Sequence, residues 1–156
     1  MNKSGPDPYE MEYLEWLMAK GTPVRFCSGE QAQKVEHYDF LVKGVKVEFK
    51  GPKSIYRGDP PQYTRLWVEW QNVMGNIGWV RGAAVWIVFK EPDGYLYVRR
   101  PELENLVSVV NWDAFTTDKD YSLDLKAFRR QFRDDLFCYV QRACLLELAS
   151  TKIFKK

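Results

Sequence analysis

The sequence predicts one α/β domain, built on a mixed central β-sheet that is flanked by helices. Three observations lead to this prediction: a helix-like segment near the N-terminus, two short alternating strands joined by Lys43-Gly44, and a continuous apolar run at 83–89. A chain of 156 residues is long enough to bury one core, and no linker, repeat or low-complexity segment divides it. We therefore expect residues 1–156 to form a single domain.

The first predicted element is a helix. The apolar side chains of Met11, Leu14 and Met18 follow one another at helical spacing, which makes them the expected buried stripe. Asp7 is a suitable N-cap residue and Gly21 a suitable C-cap residue, so we expect the helix to lie between them.

The later elements are predicted from turn residues and hydrophobic patterning. In chain order they are a strand at 23–27, a polar connection at 28–36, a hairpin at 38–50, a Gly- and Pro-rich loop at 51–63, a strand at 65–72, a buried central strand at 83–89, a strand at 95–100 joined to it by a turn at 91–94, a helix that begins at Pro101, a strand at 133–140, a helix at 141–150 and a basic tail at 152–156.

Composition narrows the classes of function. Apolar residues make up 46% of the chain and charged residues 28%, which is typical of a globular protein. The net charge is only +2, so any attraction to nucleic acid must come from local clusters of basic residues. The three Cys and the single His form no CxxC or His-x-His pair, which argues against structural zinc and favours a reducing compartment. With no apolar run of membrane-spanning length and no signal-peptide core in the first residues, we expect a soluble intracellular protein without a membrane partner.

The hairpin carries the most informative side chains. With Lys43-Gly44 as a two-residue turn, counting outward places Asp39 opposite Glu48, and Lys50 projects on the same face as Glu48. Opposed carboxylates repel each other unless a cation lies between them. This arrangement suits Mg²⁺, which prefers oxygen ligands and can neutralise charge on a phosphate, while a lysine orients the attacking water. The other face is expected to be a core face and carries Tyr38, Phe40, Val42, Val45, Val47 and Phe49.

An Asp on one strand, followed by Glu-x-Lys on the next, resembles the signature of the PD-(D/E)xK nuclease superfamily. Asp39, Glu48 and Lys50 stand at its three positions, and Tyr38 stands where the signature has Pro. The segments YDFLVKGVKVEFKGPK and WVEWQNVMGNIGW, and the closing RRQFRDDLFCYV, are similar to those of small phage and bacterial members. The resemblance implies a restriction endonuclease-like αβββαβ core and a Mg²⁺-dependent deoxyribonuclease, with Mn²⁺ as a substitute. It also implies the cytoplasm of a bacterium or of a phage-infected cell.

The same resemblance implies roles for individual residues. Asp39, Glu48 and the backbone carbonyl of Phe49 would bind the metal, and Lys50 would act on the nucleophilic water. Members of the superfamily often supply a further acid from the first helix. Here Glu15 is favoured over Glu12, because Glu12 borders the Met11 edge of the expected buried stripe.

Other polar residues near the hairpin are candidates for contacts with DNA. Lys53 and Arg57 leave the expected site on the loop that follows it, where they could bind phosphates. Gln71 shares a strand face with Glu69, and both would extend the polar site if that strand lies beside the hairpin. For each of these residues an ordinary solvated surface position is an equally simple interpretation.

The length of the chain leaves no room for a separate recognition domain. We therefore expect structure-dependent or weakly specific cleavage, or a homodimer that assembles a wider groove. Two other classes of function stay open: a nuclease-like fold that binds nucleic acid or protein without catalysis, and a small structural or inhibitory protein of phage type.

Overall fold

A mixed six-stranded sheet forms the centre of the computed structural model, which describes residues 5–156. Residues 1–4 of the predicted domain lie outside the described residues. The elements are α1 (Pro8–Ala19), β1 (Val24–Phe26), a π-helical turn (Gln31–Glu36), β2 (Phe40–Val42), β3 (Val45–Lys50), β4 (Arg65–Gln71), a 3₁₀ turn (Trp79–Arg81), β5 (Trp86–Glu91), β6 (Gly94–Arg99), α2 (Arg100–Val107), β7 (Leu136–Gln141), α3 (Arg142–Leu146) and β8 (Lys152–Lys155).

The strand order of the main sheet is β1-β2-β3-β5-β6-β8. The β3–β5 pair is parallel, and the other pairs of this sheet are antiparallel. β4 and β7 pair with each other in a separate two-stranded sheet. One α/β domain with a mixed sheet flanked by helices is therefore confirmed, whereas the restriction endonuclease-like αβββαβ core stays a prediction.

The main sheet separates two apolar clusters. α1 packs on one face, where its side chains meet Phe40, Val47, Phe49, Val88 and Tyr95. On the other face, side chains of β5 and β6 pack with β4, β7 and α2; this cluster includes Val68, Ile87, Leu96, Leu103 and Val140. Neighbouring residues of a strand point to opposite faces of the sheet. The polar side chains of β3 therefore lie on the face that carries the second cluster, opposite α1.

The predicted helix forms where expected, but it buries a different face. Its buried side chains are Glu10, Tyr13 and Leu17, whereas Met11 is 39% exposed and Met18 62% exposed. The predicted Met11, Leu14 and Met18 stripe is therefore wrong. The aromatic ring of Tyr13 is the reason, because it packs in the cluster between α1 and the sheet, with its centroid 5.0 Å from that of Phe49 and 5.0 Å from that of Tyr95.

The hairpin turn is confirmed in its register near the turn. Lys43 and Gly44 have φ angles of 51° and 79°, which a two-residue turn with the right twist requires. Val42 pairs with Val45, and the ladder continues outward to Phe40 and Val47.

The regular pairing ends before Asp39, so the expected direct opposition of Asp39 and Glu48 is wrong. The Asp39 N–H donates to the carbonyl of Val47 at 2.8 Å, which puts Asp39 one residue out of step with the ladder. Tyr38 is displaced with it and packs beside the second apolar cluster, with the Lys46 ammonium 5.2 Å from its ring centroid. Tyr38 therefore does not belong to the predicted core face of the hairpin.

The C-terminal segment also differs from its prediction. The expected basic tail at 152–156 contains β8, which pairs with β6 and forms an edge of the main sheet. The helix expected at 141–150 is shorter and spans Arg142–Leu146. Across residues 5–156, none of the helices combines the length and the apolar character that crossing a membrane requires.

Candidate active site

An open cleft of about 380 Å³ lies between the N-terminal end of α1, the last residues of β3 and the middle of β4. Its lining combines five carboxylates with two lysines and a histidine: Asp7, Glu10, Asp39, Glu48, Glu69, Lys50, Lys53 and His37. Carboxylates concentrated in one cleft repel one another, and a bound cation relieves that repulsion. The excess of acidic groups therefore makes the cleft suited to a cation.

The structure brings Asp39, Glu48 and Lys50 together in this cleft. Glu48 and Lys50 project from the same face of β3, and the Lys50 Nζ lies 3.8 Å from Glu48 Oε1. Asp39 reaches the cleft from the segment that precedes β2, although it is not paired with Glu48. Asp39 is 4% exposed and Glu48 6% exposed, so both carboxylates are buried at the base of an otherwise open site.

Hydrogen bonds fix the orientation of the Asp39 carboxylate. The backbone N–H of Phe49 donates to Asp39 Oδ2 at 2.9 Å, and Gln33 Nε2 donates to Asp39 Oδ1 at 3.2 Å. Gln33 is itself held by the carbonyl of Cys27, at 2.6 Å from its Nε2. A carboxylate held from both sides is preorganised, as a metal ligand or a catalytic group needs to be.

The acid that α1 supplies to the cleft is Glu10. It is 1% exposed and forms a capping box, in which its Oε1 accepts the Asp7 N–H at 3.0 Å and Asp7 Oδ1 accepts the Glu10 N–H at 2.8 Å. The predicted Glu15 is exposed and is not part of the cleft lining, and Glu12 forms ion pairs with Lys90 and Lys156. The spacing Asp-x-x-Glu at the helix start was the signal that could have identified Glu10.

The surroundings of the cleft shift the titration of several groups. Burial raises the pKa of Glu69, and the nearby Lys50 opposes that change. Burial lowers the pKa of His37, and repulsion from Lys50 adds to this effect. The Lys53 ammonium lies 4.1 Å from the ring centroid of Trp67, and desolvation there, with repulsion from Lys50, lowers its pKa. The pKa of Glu69 and the pKa of Lys53 are therefore both shifted towards neutrality, as is common for groups in functional sites.

Of the three residues predicted to contact DNA, one lines the cleft and two do not. Lys53 lines the cleft, whereas Arg57 is exposed on the loop and does not line it. Gln71 is also outside the lining, and its Nε2 donates to the carbonyl of Asp134 at 2.7 Å. A register shift between Glu69 and Gln71 separates the two side chains, so only Glu69 reaches the cleft.

The donor set fits a hard divalent cation. Among the described residues 5–156, no group of three or more His, Cys, Asp or Glu side chains is arranged to hold a metal ion. Mg²⁺, however, is commonly held by one or two carboxylates, with water and substrate phosphate oxygens at its other positions. Asp39 and Glu48 place two such carboxylates in the lining of an open cleft.

Comparisons with known proteins assign no family to the chain. No family model matches it, and no curated protein or solved structure matches it. The resemblance to PD-(D/E)xK nucleases therefore rests on Asp39, Glu48 and Lys50 and on the segments around them.

Proposed function

We propose that the protein is a metal-dependent nuclease that hydrolyses phosphodiester bonds in DNA, with structure-dependent or weak sequence preference. The observation that carries this proposal is the meeting of Asp39, Glu48 and Lys50 in one open cleft, with the Asp39 carboxylate held by the Phe49 N–H. The restriction endonuclease-like core belongs to the same proposal. It is supported by the position of Glu48 on β3, which pairs in parallel with β5, and of Asp39 directly before β2, the other strand of the hairpin.

Asp39 and Glu48, with the carbonyl of Phe49, would hold Mg²⁺ or Mn²⁺. Bound there, the cation supplies Lewis-acid stabilisation of the negative charge that develops on the scissile phosphate. The hydrogen bonds from Phe49 and Gln33 keep the Asp39 carboxylate oriented before the cation arrives. Glu10 lies in the same lining and adds a third negative group from α1.

Lys50 has the position to act on the attacking water. Its ammonium lies beside Glu48 and 4.9 Å from the centroid of the Trp79 ring, so the aromatic wall and the carboxylate together hold it in the cleft. An ammonium there donates a hydrogen bond to the water or to a non-bridging phosphate oxygen in the transition state. The new bond joins the water oxygen to phosphorus, and the bond from phosphorus to the leaving oxygen breaks.

Glu69 is suited to accept the proton that the attacking water releases. Burial raises the pKa of its carboxyl, and a carboxylate with a raised pKa is a stronger base than an ordinary one. It reaches the cleft from β4, the separate sheet, while the metal ligands come from the main sheet. The two sheets would therefore hold the substrate phosphate between them.

Cleavage assays on linear, nicked, single-stranded and branched DNA test the proposal, in Mg²⁺, in Mn²⁺ and in EDTA. Asp39→Asn and Lys50→Ala should each lower the cleavage rate by about 100-fold or more. Glu15→Gln is the matched control, since it removes an exposed carboxylate of α1 and should leave the rate unchanged. Cleavage that survives in both site variants would overturn the proposal.

The same assays separate the alternatives. Binding of DNA in EDTA, with no turnover in either metal, would favour a nuclease-like fold that binds nucleic acid without catalysis. A homodimer would widen the surface for DNA, and light scattering on the purified protein would detect it.

A further inference from the structure

A second groove, of about 350 Å³, lies at the C-terminal end of α1. α1, the β2–β3 hairpin and the β5, β6 and β8 strands form its walls, on the sheet face opposite the polar side chains of β3. Four half-buried aromatic rings line it: Trp16, Trp86, Tyr97 and Phe154.

The four rings are linked by a series of ring contacts. The Trp86 and Tyr97 centroids are 5.9 Å apart, those of Tyr97 and Phe154 are 4.9 Å apart, and those of Phe154 and Trp16 are 6.3 Å apart. Neighbouring rings meet edge to face, with interplanar angles of 61–66°, and each ring keeps part of its surface accessible, so the row offers apolar aromatic surface in one concave place. Such a surface suits planar aromatic ligands.

The lining also includes three exposed lysines: Lys20, Lys43 and Lys152. The Lys20 ammonium lies 4.0 Å from the Trp16 ring centroid, and the Lys152 ammonium lies 5.3 Å from the Trp86 centroid. The groove lining contains no carboxylate, and within residues 5–156 none of the three lysines forms an ion pair. The positive charge of the groove is therefore not neutralised within this part of the chain.

We infer that this groove binds single-stranded nucleic acid, whose bases stack on the aromatic row and whose phosphates contact the three lysines. Stacking platforms combined with a basic groove are the general solution for binding single strands without sequence preference. A duplex offers the same phosphates, but its base faces are already stacked on one another. An acidic peptide offers the charge without the planar rings. The inference goes beyond the proposed nuclease activity, since it requires neither the cleft nor a metal ion.

Binding of a fluorescent oligothymidine of about twelve nucleotides, measured by anisotropy in EDTA, tests the charge component. The triple variant Lys20→Gln, Lys43→Gln, Lys152→Gln should bind at least about tenfold more weakly at low salt. The slope of log affinity against log salt should become shallower by about 2, since each phosphate contact in a single strand contributes about 0.7. The matched control is Lys119→Gln, Lys126→Gln, Arg133→Gln, which removes the same charge outside the groove lining and should bind as the wild type does.

Removing a ring tests the stacking component. Trp86→Leu should weaken binding by about fivefold or more, because base–aromatic stacking supports each bound base. Phe132→Leu is the control, since Phe132 is 98% exposed and lies outside the groove. Circular dichroism melting verifies the fold of each variant, and Phe154→Leu replaces Trp86→Leu if the latter does not fold.

The inference is overturned if the groove triple variant binds like its control. It is also overturned if charge removal weakens binding but neither ring variant does, because the surface would then be a general anion site. Displacement of the oligonucleotide by an acidic peptide or by anionic vesicles, with no effect of the ring variants, would assign the groove to those partners. Because binding is measured in EDTA, a failure of the cleavage assays leaves these outcomes unchanged.

Discussion

The two ends of α1 carry opposite chemistry. At its start, Asp7 and Glu10 border a cleft in which acidic groups outnumber basic ones, and at its end Trp16 and Lys20 border a groove with three lysines and no carboxylate. At a rise of about 1.5 Å per residue, the backbones of Glu10 and Lys20 are about 15 Å apart along the helix. A short helix therefore spans two surfaces that would attract ligands of opposite charge.

The same contrast is found within β3, where neighbouring residues serve the two regions. Val45 and Val47 line the groove, whereas Glu48 and Lys50 line the cleft on the other face of the sheet. In the cleft, Glu10, Asp39 and Glu48 are buried, and the carboxylates of Glu10 and Asp39 are fixed by hydrogen bonds from backbone N–H groups. The three lysines of the groove are exposed, and two of them, Lys20 and Lys152, lie over aromatic rings. Fixed carboxylates suit a cation with strict geometry, whereas an exposed basic rim gives affinity without strict geometry.

The largest expected difference between the two regions comes from Glu48→Gln. This change removes one negative charge from the proposed metal ligands while keeping the size of the side chain, so cleavage should fall by about 100-fold or more. We also expect Mg²⁺ to raise the melting temperature of the wild type but not that of this variant, because a cation stabilises the folded state only if it binds that state more tightly than the unfolded one. Binding of oligothymidine in EDTA should not change. Retained cleavage together with a retained Mg²⁺ shift would contradict the assignment of Glu48.

A smaller effect is expected from Glu10→Gln. The amide oxygen can still accept the Asp7 N–H, so the capping box survives in part while the charge in the cleft is lost. We expect cleavage to slow by about 10–100-fold, as is usual when a group that supports a metal site is changed. Glu15→Gln, on the exposed side of the same helix, should stay within about twofold of the wild type. A larger loss for Glu15→Gln than for Glu10→Gln would restore the assignment that the sequence favoured.

The parts of the site that local patterns determine were predictable. The turn at Lys43-Gly44 requires two residues with positive φ and then determines the register up to Phe40 and Val47. Alternation along β3 places Glu48 and Lys50 on one face, because the side-chain period of a strand is two. These rules need no knowledge of the rest of the chain.

The parts that depend on distant contacts were not predictable. Asp39 lies outside the ladder because the π-helical turn ends at Glu36, His37 after it has a φ of 57°, and the chain enters β2 only at Phe40. α1 turns its Tyr13 face inward because three strands supply rings that pack against it. β8 forms only because β6 offers a free edge, and Gly94 on that edge lets the backbone of Phe154 approach closely.

Loss of the helix cap should have a moderate effect on stability. Asp7→Ala removes the acceptor for the Glu10 N–H, which should lower the free energy of unfolding by about 1 kcal/mol. For a chain of this length the melting temperature should fall by about 2–4 °C. Asp7→Ser keeps a capping oxygen and should melt close to the wild type. Equal melting temperatures for Asp7→Ala and Asp7→Ser would show that the cap does not stabilise α1.

The smallest expected effect is a change in stability at Glu69, the carboxyl of the cleft with a raised pKa. The folded state binds the proton of the Glu69 carboxyl more tightly than the unfolded state does. Protonated Glu69 therefore favours folding below its ordinary pKa of 4.5. This contribution to stability is lost as the pH rises through the higher pKa of Glu69 in the folded state. At pH 7 the buried charge therefore lowers stability, and Glu69→Gln should raise the melting temperature in EDTA. At pH 4 the variant and the wild type should differ much less. The ammonium groups of Lys50 and Lys53 oppose the rise in the pKa of Glu69 and so keep the expected change in melting temperature small. If Glu69→Gln raises the melting temperature equally at pH 4 and pH 7, hydrogen bonding or packing, rather than charge burial, controls stability at this position.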